Sequence, residues 1–479
     1  MEKVNLFWFK KDLRIFDNEA LTEALRNGKV LPIFIVEPNL WQLPDHSSRQ
    51  WEFVRECLID LNNSLNKIGL KLFIRTGNVI DIIEDLIKKY KISAIYSHQE
   101  TGNKWTFNRD QNLGKYLKEI NVTWYEYRQF GVFRGLKTRN GWSERWEKHI
   151  SQNLISEPKK VSYEININDY QIPSSKTLKL NTDKCIYRIK GGRMHGLSRL
   201  NEFIKLKIDN YQYCLSSPLK AFDGCSRLSP YITWGCLSIR EVVQKIRAAG
   251  EKKSKAIDSR LHWHCHFIQK LETQPDIENS ELHPSMHGIR QPNTVFLNAW
   301  SEGKTGVPFI DACMRALNNH GWINFRMRAM LMSFASYQLW IPWQESGLYL
   351  ARKFIDYEPG IHWSQCQMQS GTTAINTLRI YNPIKQGYEH DPTGIFIRTW
   401  VKELRYYPIE FIHEPWKSNL FYQNQTSFVL GKDYPFPIVD PIISAEKARS
   451  KLKEIQNKPG YREIANTIFE KHGSRKKRT

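Results

Sequence analysis

The stretch WSEGKTGVPFIDACMRALNNHGWINFRMRAM, residues 300–330, decides how the chain is read. Val307, Ile310, Met314 and Leu317 repeat with helical spacing, Pro308 suits the first turn, and Gly321 suits a stop. A second amphipathic helix is predicted through Ile323, Met327, Met330 and Phe334, and it carries Arg326 and Arg328. Downstream lie Trp343, Trp363, the acidic turn Asp356-Tyr357-Glu358 and the run RIYNP at 379–383. A domain that merely had to be stable needs no such mixture. Arginines beside carboxylates, with tryptophans interleaved, suit a chain that holds a redox cofactor and faces a polyanion.

Helical periodicity extends on both sides of this block, and an all-helical domain is predicted over 191–479. Residues 131–190 are polar and rich in Lys, Asn and Ser, and read as an inter-domain connection over the surface. Residues 1–130 alternate between two patterns. Short apolar runs at Val4–Phe9, Val30–Val36, Leu72–Ile74, Ile92–Tyr96 and Val122–Tyr127 are separated by helical segments such as Phe53, Cys57, Leu58, Leu61 and Leu65. This predicts βαβ units and an α/β, doubly wound parallel sheet. Ligands of such sheets sit beyond the carboxyl ends of the strands, where His98, Glu100 and Asn103 end one run.

With 479 residues, two domains are expected. Hydrophobic residues at 41% and aromatics at 13% supply well-packed cores and argue against disorder. No apolar run approaches about 18 residues, so no membrane span is expected. The N-terminus enters VNLFWF with no basic region or cleavage site, so no secretory signal is expected. The net charge of +21 points to an anionic partner, nucleic acid first. The basic tail RKKR at 475–478 reads as a solvated end. Eight cysteines without a CxxC pair indicate a reducing compartment, and the expected protein is a cytoplasmic monomer. His262 and His266 have the spacing of helical metal ligands, but no Glu follows the first histidine, and no metal is expected.

FWFKKDLRIFDNEAL at 7–21, GGRMHGLSRLNEF at 191–203, CSRLSPYITWGCLS at 225–238, the 300–330 block, FIRTWVKEL at 396–404 and HEPW at 413–416 follow one another in an order that resembles the DNA photolyase/cryptochrome family. The resemblance covers essentially the entire chain. It implies an α/β antenna domain, a helical FAD-binding domain, and light-driven repair of UV-damaged DNA by an electron from reduced FAD. A cryptochrome-like photoreceptor is the alternative.

A small polar run that opens a helix offers N–H groups and hydroxyls to a pyrophosphate. By resemblance Ser226, Arg227, Leu228 and Ser229 cradle the FAD phosphates, and Cys225 stands where most members have threonine. Tyr213 takes the place of a flavin-contacting tyrosine, Arg328 and Asp356 that of a salt bridge beside the ring, and Tyr357-Glu358 complete the acidic flavin turn. Trp363 and Trp343 match the inner members of an electron-hopping chain. Its surface member falls near Arg290, with Trp340 or a nearby tyrosine as substitute. The resemblance also implies a second, antenna chromophore, a folate or a deazaflavin.

The departures cluster on the lesion side. RLHWHCHF at 260–267 keeps Trp263 but places Arg260 and His264 where cyclobutane-dimer photolyases carry glutamate and arginine, and His264 is read as a contact to flavin phosphate or DNA. Gln365 replaces a stacking tryptophan, and Phe325 and Ala329 replace asparagine and methionine. Arg379 is the candidate for DNA phosphates, Arg326 for the pocket of extruded bases and Trp263 for the stacking platform. The expected partner is UV-damaged DNA, as a single strand or a loosened duplex.

Overall fold

Strand β1 (Lys3–Phe9) is buried from Val4 onward on both faces, as a central parallel strand must be. Its side chains alternate: Phe7 and Phe9 enter one hydrophobic core, Leu6 and Trp8 another. With β2 (Lys29–Val36), β3 (Phe73–Thr76), β4 (Lys91–His98) and β5 (Thr123–Tyr127) it forms a five-stranded parallel sheet in the order β3-β2-β1-β4-β5. Leu6 lies opposite Leu31 on one side and Ile95 on the other. The order reverses at β1 and β4, so the ligand crevice of such a sheet opens at their carboxyl ends. The structure, a computed structural model, describes residues 3–165, 170–418 and 428–474. The basic run at 475–478 lies outside the described residues.

Helices cover both faces. α1 (Glu19–Arg26) starts at Asn18, whose side chain accepts from the Leu21 N–H, and with α2 (Ser48–Lys67) it packs into the core that holds Phe7. α3 (Val79–Lys89) and α4 (Lys104–Glu119) bury Ile82, Leu86, Leu113 and Leu117 against Leu6 and Trp8. Residues 131–190 are more than a surface connection. They contain α5 (Trp142–Ile150), whose Trp142, Trp146 and Ile150 recur at helical spacing and are buried. Polar neighbours on the outer face masked this stripe in the sequence. Gln244 of α6 (Ile239–Ala248) donates to the Ile150 carbonyl at 2.7 Å.

The remaining helices that matter for the site are α7 (Glu251–Thr273), α8 (Pro308–His320), α9 (Phe325–Ser333), α10 (Trp343–Lys353), α11 (Pro359–Ser370) and α12 (Tyr461–His472). α8 has Pro308 in its first turn and stops at Gly321, which adopts φ 68°. The second predicted helix begins later than Ile323, because Asn324 is an extended N-cap, and it runs on into a π-turn at Phe334–Gln338. α7 and α11 cross closely at Gly360: a Cβ there would come within 2.6 Å of the Ile268 Cα. That approach brings the Trp263 side of α7 and the Gln365 side of α11 to one cleft.

The sheet is clamped to the helical part by the opening motif. Arg14 donates to the Gly235 carbonyl at 3.0 Å, and Asp17, at φ 51°, accepts from Arg240 Nε at 3.1 Å and from Ser238. Among the described residues no helix is long and apolar enough to cross a membrane.

Candidate functional site

A cleft of about 560 Å³ opens among the helices, within the range of about 300–1,000 Å³ usual for ligand sites. Cys225 to Ser229 form one wall, and Arg260, Trp263 and His264 of α7 face them. Phe325 and Arg328 of α9, Asp356 to Glu358, and Gln365 of α11 complete the enclosure, with Arg379 at an exposed edge.

Arg328 grips Asp356 through two parallel bonds, Nη1 to Oδ1 at 3.0 Å and Nη2 to Oδ2 at 2.9 Å. Ser229 donates to the same carboxylate at 2.6 Å, so the polar run and the ion pair share one anchor. Glu358 accepts from Lys11 at 3.2 Å, which ties the cleft to the end of β1. Burial pushes the Glu358 carboxyl up in spite of Lys11. The Tyr357 hydroxyl donates to Asp45 at 2.6 Å. Arg227 lies over the rings of Phe222 and Trp322, and burial, with Arg199 next, lowers its pKa to about 10. Burial, with Lys11 next, holds His264 down to about 4, so it is neutral at pH 7.

Six buried polar atoms on this cleft have no hydrogen-bond partner among the described residues: Arg227 Nε, His264 Nε2, Asn324 Oδ1, Glu358 Oε1, Gln365 Nε2 and His472 Nδ1. Buried polar groups are almost always satisfied, so donors and acceptors gathered here fit a polar ligand. Behind the cleft Trp363 meets Trp343 edge to face, with ring centroids 5.8 Å apart. Trp340, the expected substitute for a third member, has Arg290 at 4.7 Å and Lys451 at 4.8 Å over its ring. Two cations over an indole disfavour loss of an electron from it.

Residues 5–134 match the family model described as DNA photolyase, and residues 257–454 match that described as the FAD binding domain of DNA photolyase. The chain belongs to the DNA photolyase/cryptochrome family. It is 27% identical to the deoxyribodipyrimidine photo-lyase of Alkalihalophilus pseudofirmus, over 94% of this chain and 98% of that one. It is 26% identical to cryptochrome-2 of Gallus gallus, over 94% of this chain and 83% of that one. The archaeal photolyase from Sulfolobus tokodaii, solved with two FAD molecules, superposes with a TM-score of 0.80 at 26% identity, covering 94% of this chain and all (100%) of that one. The cofactor of the helical half is FAD, and the orphaned polar atoms of the cleft fit it.

Two of the photolyase-type assignments change position in the structure. Tyr213 is 78% exposed and does not line the cleft; Tyr211 does, and is buried. Tyr211 and Tyr213 share a one-turn helix at Tyr211–Cys214, where residues two apart face nearly opposite ways, so only Tyr211 points inward. Arg326 also stands outside the cleft wall. Its Nε donates to Ser216 at 2.9 Å, on the neighbouring face of α9. On the lesion side Trp263 stacks on Phe267 at 5.7 Å, Arg260 lies over Phe325 at 5.5 Å, and Gln369 donates to Gln365 at 3.3 Å. His262 reaches Ser143 at 3.2 Å and His266 accepts from Arg139 at 2.8 Å, so the two histidines diverge.

At the carboxyl ends of β1 and β4 the protein occupies its own crevice. His98 bonds Asp12 at 2.7 Å, Glu100 pairs with Arg109 at 2.6 Å, and Asn103 caps α4 through Thr106 N–H at 3.1 Å. Trp41 stacks on Trp234 at 5.7 Å, and about 40 Å³ remains.

Proposed function

We propose that the chain is a light-driven, FAD-dependent photolyase that repairs UV-induced pyrimidine dimers in DNA. The observation that carries this is one cleft that joins the Arg328–Asp356 pair and the Ser226–Ser229 run to an aromatic wall at Trp263, with a cation, Arg379, at its edge. Bound in its reduced form, FAD supplies a photoexcitable one-electron donor. The protein's part is to hold and exclude. The Ser226–Ser229 run offers hydroxyls and N–H groups to the pyrophosphate. Arg328 and Asp356 fix charges beside the ring and set how easily it gains or loses an electron. Trp263 offers a face to an extruded base, and Arg379 meets a backbone phosphate.

A photoreceptor role is the second reading, favoured by Gln365, Arg260 and Phe325 at the lesion-facing places and by the cryptochromes among the relatives. Chromatography of an oligonucleotide bearing a cyclobutane dimer, before and after blue light, separates the two. Restored thymines are expected with FAD-loaded protein and light, and not in the dark. No restoration in a preparation whose flavin still photoreduces would transfer the assignment to the photoreceptor.

A further inference from the structure

Along α7, Trp263, His266, Phe267 and Lys270 fall on one stripe and all line the cleft. Trp263 and Phe267 stack at an interplanar angle of 28°, and the Lys270 ammonium lies 5.3 Å over the Phe267 ring. Lys270 is 6% exposed, yet its ammonium has neither a carboxylate nor a hydrogen-bond acceptor among the described residues. His472, at the end of α12, reaches the same stretch of cleft with a relative exposure of 1%, and its Nδ1 has no hydrogen-bond partner there either. Its Nε2 is held by Gln274 at 2.9 Å, which fixes the ring. Behind them Arg139 donates to both the ring and the carbonyl of His266 at 2.8 and 2.9 Å.

Among the described residues the charges that act on Lys270 and His472 are positive: Arg139 on the lysine, and Lys270, Lys471 and Arg139 on the histidine. The carboxyl-terminal turn of α7 offsets part of the cost of a cation. It leaves an ammonium buried without a counter-ion, an arrangement that stability alone disfavours strongly.

We propose that Lys270, beside the fixed ring of His472, forms an anion subsite that takes a backbone phosphate of the bound strand, one nucleotide along from the base that stacks on Trp263. This rests on the DNA-repair reading given above. An aromatic platform followed by an unpaired ammonium matches the alternation of base and phosphate along a strand. A phosphate supplies the missing acceptors for the lysine ammonium.

The test is binding of a short single strand carrying one thymine dimer to FAD-loaded wild type, Lys270→Met and Lys270→Arg. Each phosphate near the dimer is replaced in turn by a neutral methylphosphonate. In the wild type one position should weaken binding about tenfold or more, the scale of one charge-assisted contact. Lys270→Met should bind the all-phosphate strand weaker by a similar factor and be indifferent to methylphosphonate at that position. Lys270→Arg should restore the sensitivity. Equal losses at every position in wild type and Lys270→Met would overturn the subsite, because they would reduce Lys270 to a diffuse positive charge. Loss of flavin absorbance in Lys270→Met would also overturn it, by placing the phosphate on the cofactor. If dimer-bearing and undamaged strands bind the wild type alike, the repair reading fails, and the same scan on the undamaged strand still decides the subsite.

Discussion

Trp343 and Trp363 meet edge to face at 72°, both buried, with Trp363 also against the ring of His362 at 4.8 Å. Gly347 makes room for this: a Cβ there would stand 2.8 Å from the Trp363 ring. Rings this close can pass an electron from one to the next. Trp363→Phe should cut photoreduction of bound flavin by an external reductant to a small fraction of the wild-type rate, with flavin content unchanged. Undiminished bleaching of the flavin absorbance under blue light would show that electrons travel by another route.

Lys270 gives a pH signature that is independent of light. Burial, with Arg139 next, lowers it to about 7, whereas a lysine in the unfolded chain titrates near about 10.4. Between those values the unfolded state binds more protons, so this group makes stability rise with pH across that window. Below about 7 both states hold the proton and the cost is fully present. Lys270→Met removes the cost. Its melting temperature should exceed that of the wild type by several degrees at pH 7, and the gap should close as pH nears 10. A variant less stable than wild type at pH 7 would mean that the ammonium has a native partner.

Arg379 stands exposed at the cleft edge. If it meets a phosphate, Arg379→Ala should weaken binding to damaged and undamaged DNA alike. It should also lower the slope of log affinity against log salt by about one unit. Binding measured by anisotropy over a range of salt concentrations checks this, and an unchanged slope removes Arg379 from the interface.

The sheet was legible because buried parallel strands are written as continuous apolar runs, and β1, β2 and β4 each are. The Arg328–Asp356 pair was legible because both residues sit in motifs of fixed order. Tyr211 was not, since two tyrosines two residues apart are offered and only the fold says which of them faces the cleft. Lys270 and His472 were not, since nothing local in the sequence says that residues so far apart share a cleft or lack an acid between them. Arg14 and Asp17 were seen as motif residues, but their work of clamping the sheet to the Gly235–Arg240 segment is a tertiary fact.

The hydrogen bond of Trp343 bears on where its chain of rings ends. Its Nε1 donates to Glu281 Oε1 at 3.1 Å, Gln344 donates to the same oxygen at 3.2 Å, and the exposed His287 lies 3.0 Å from Oε2. Burial works against the carboxylate, but the bonds from His287, Trp343 and Gln344 outweigh it and hold Glu281 below its ordinary value. Glu281 is therefore ionised at neutral pH and, though a weaker base than a free glutamate, is placed to accept a proton. An indole that has lost an electron becomes a far stronger acid at its N–H than the neutral ring, comparable with a carboxylic acid. When Trp343 gives an electron to Trp363, its proton can pass to Glu281, leaving a neutral indole radical and a neutral carboxyl group. That transfer removes the charge that would draw the electron back. Glu281→Gln keeps an acceptor oxygen of the same shape but cannot take the proton. Transient absorption, which distinguishes the protonated from the neutral indole radical, should show a longer-lived cation and faster charge recombination in Glu281→Gln. The wild type should show a slower decay of the cation in D₂O than in H₂O, an effect the variant should lose. An unchanged rate of cation decay in the variant would exclude Glu281 as the acceptor and send the proton to solvent.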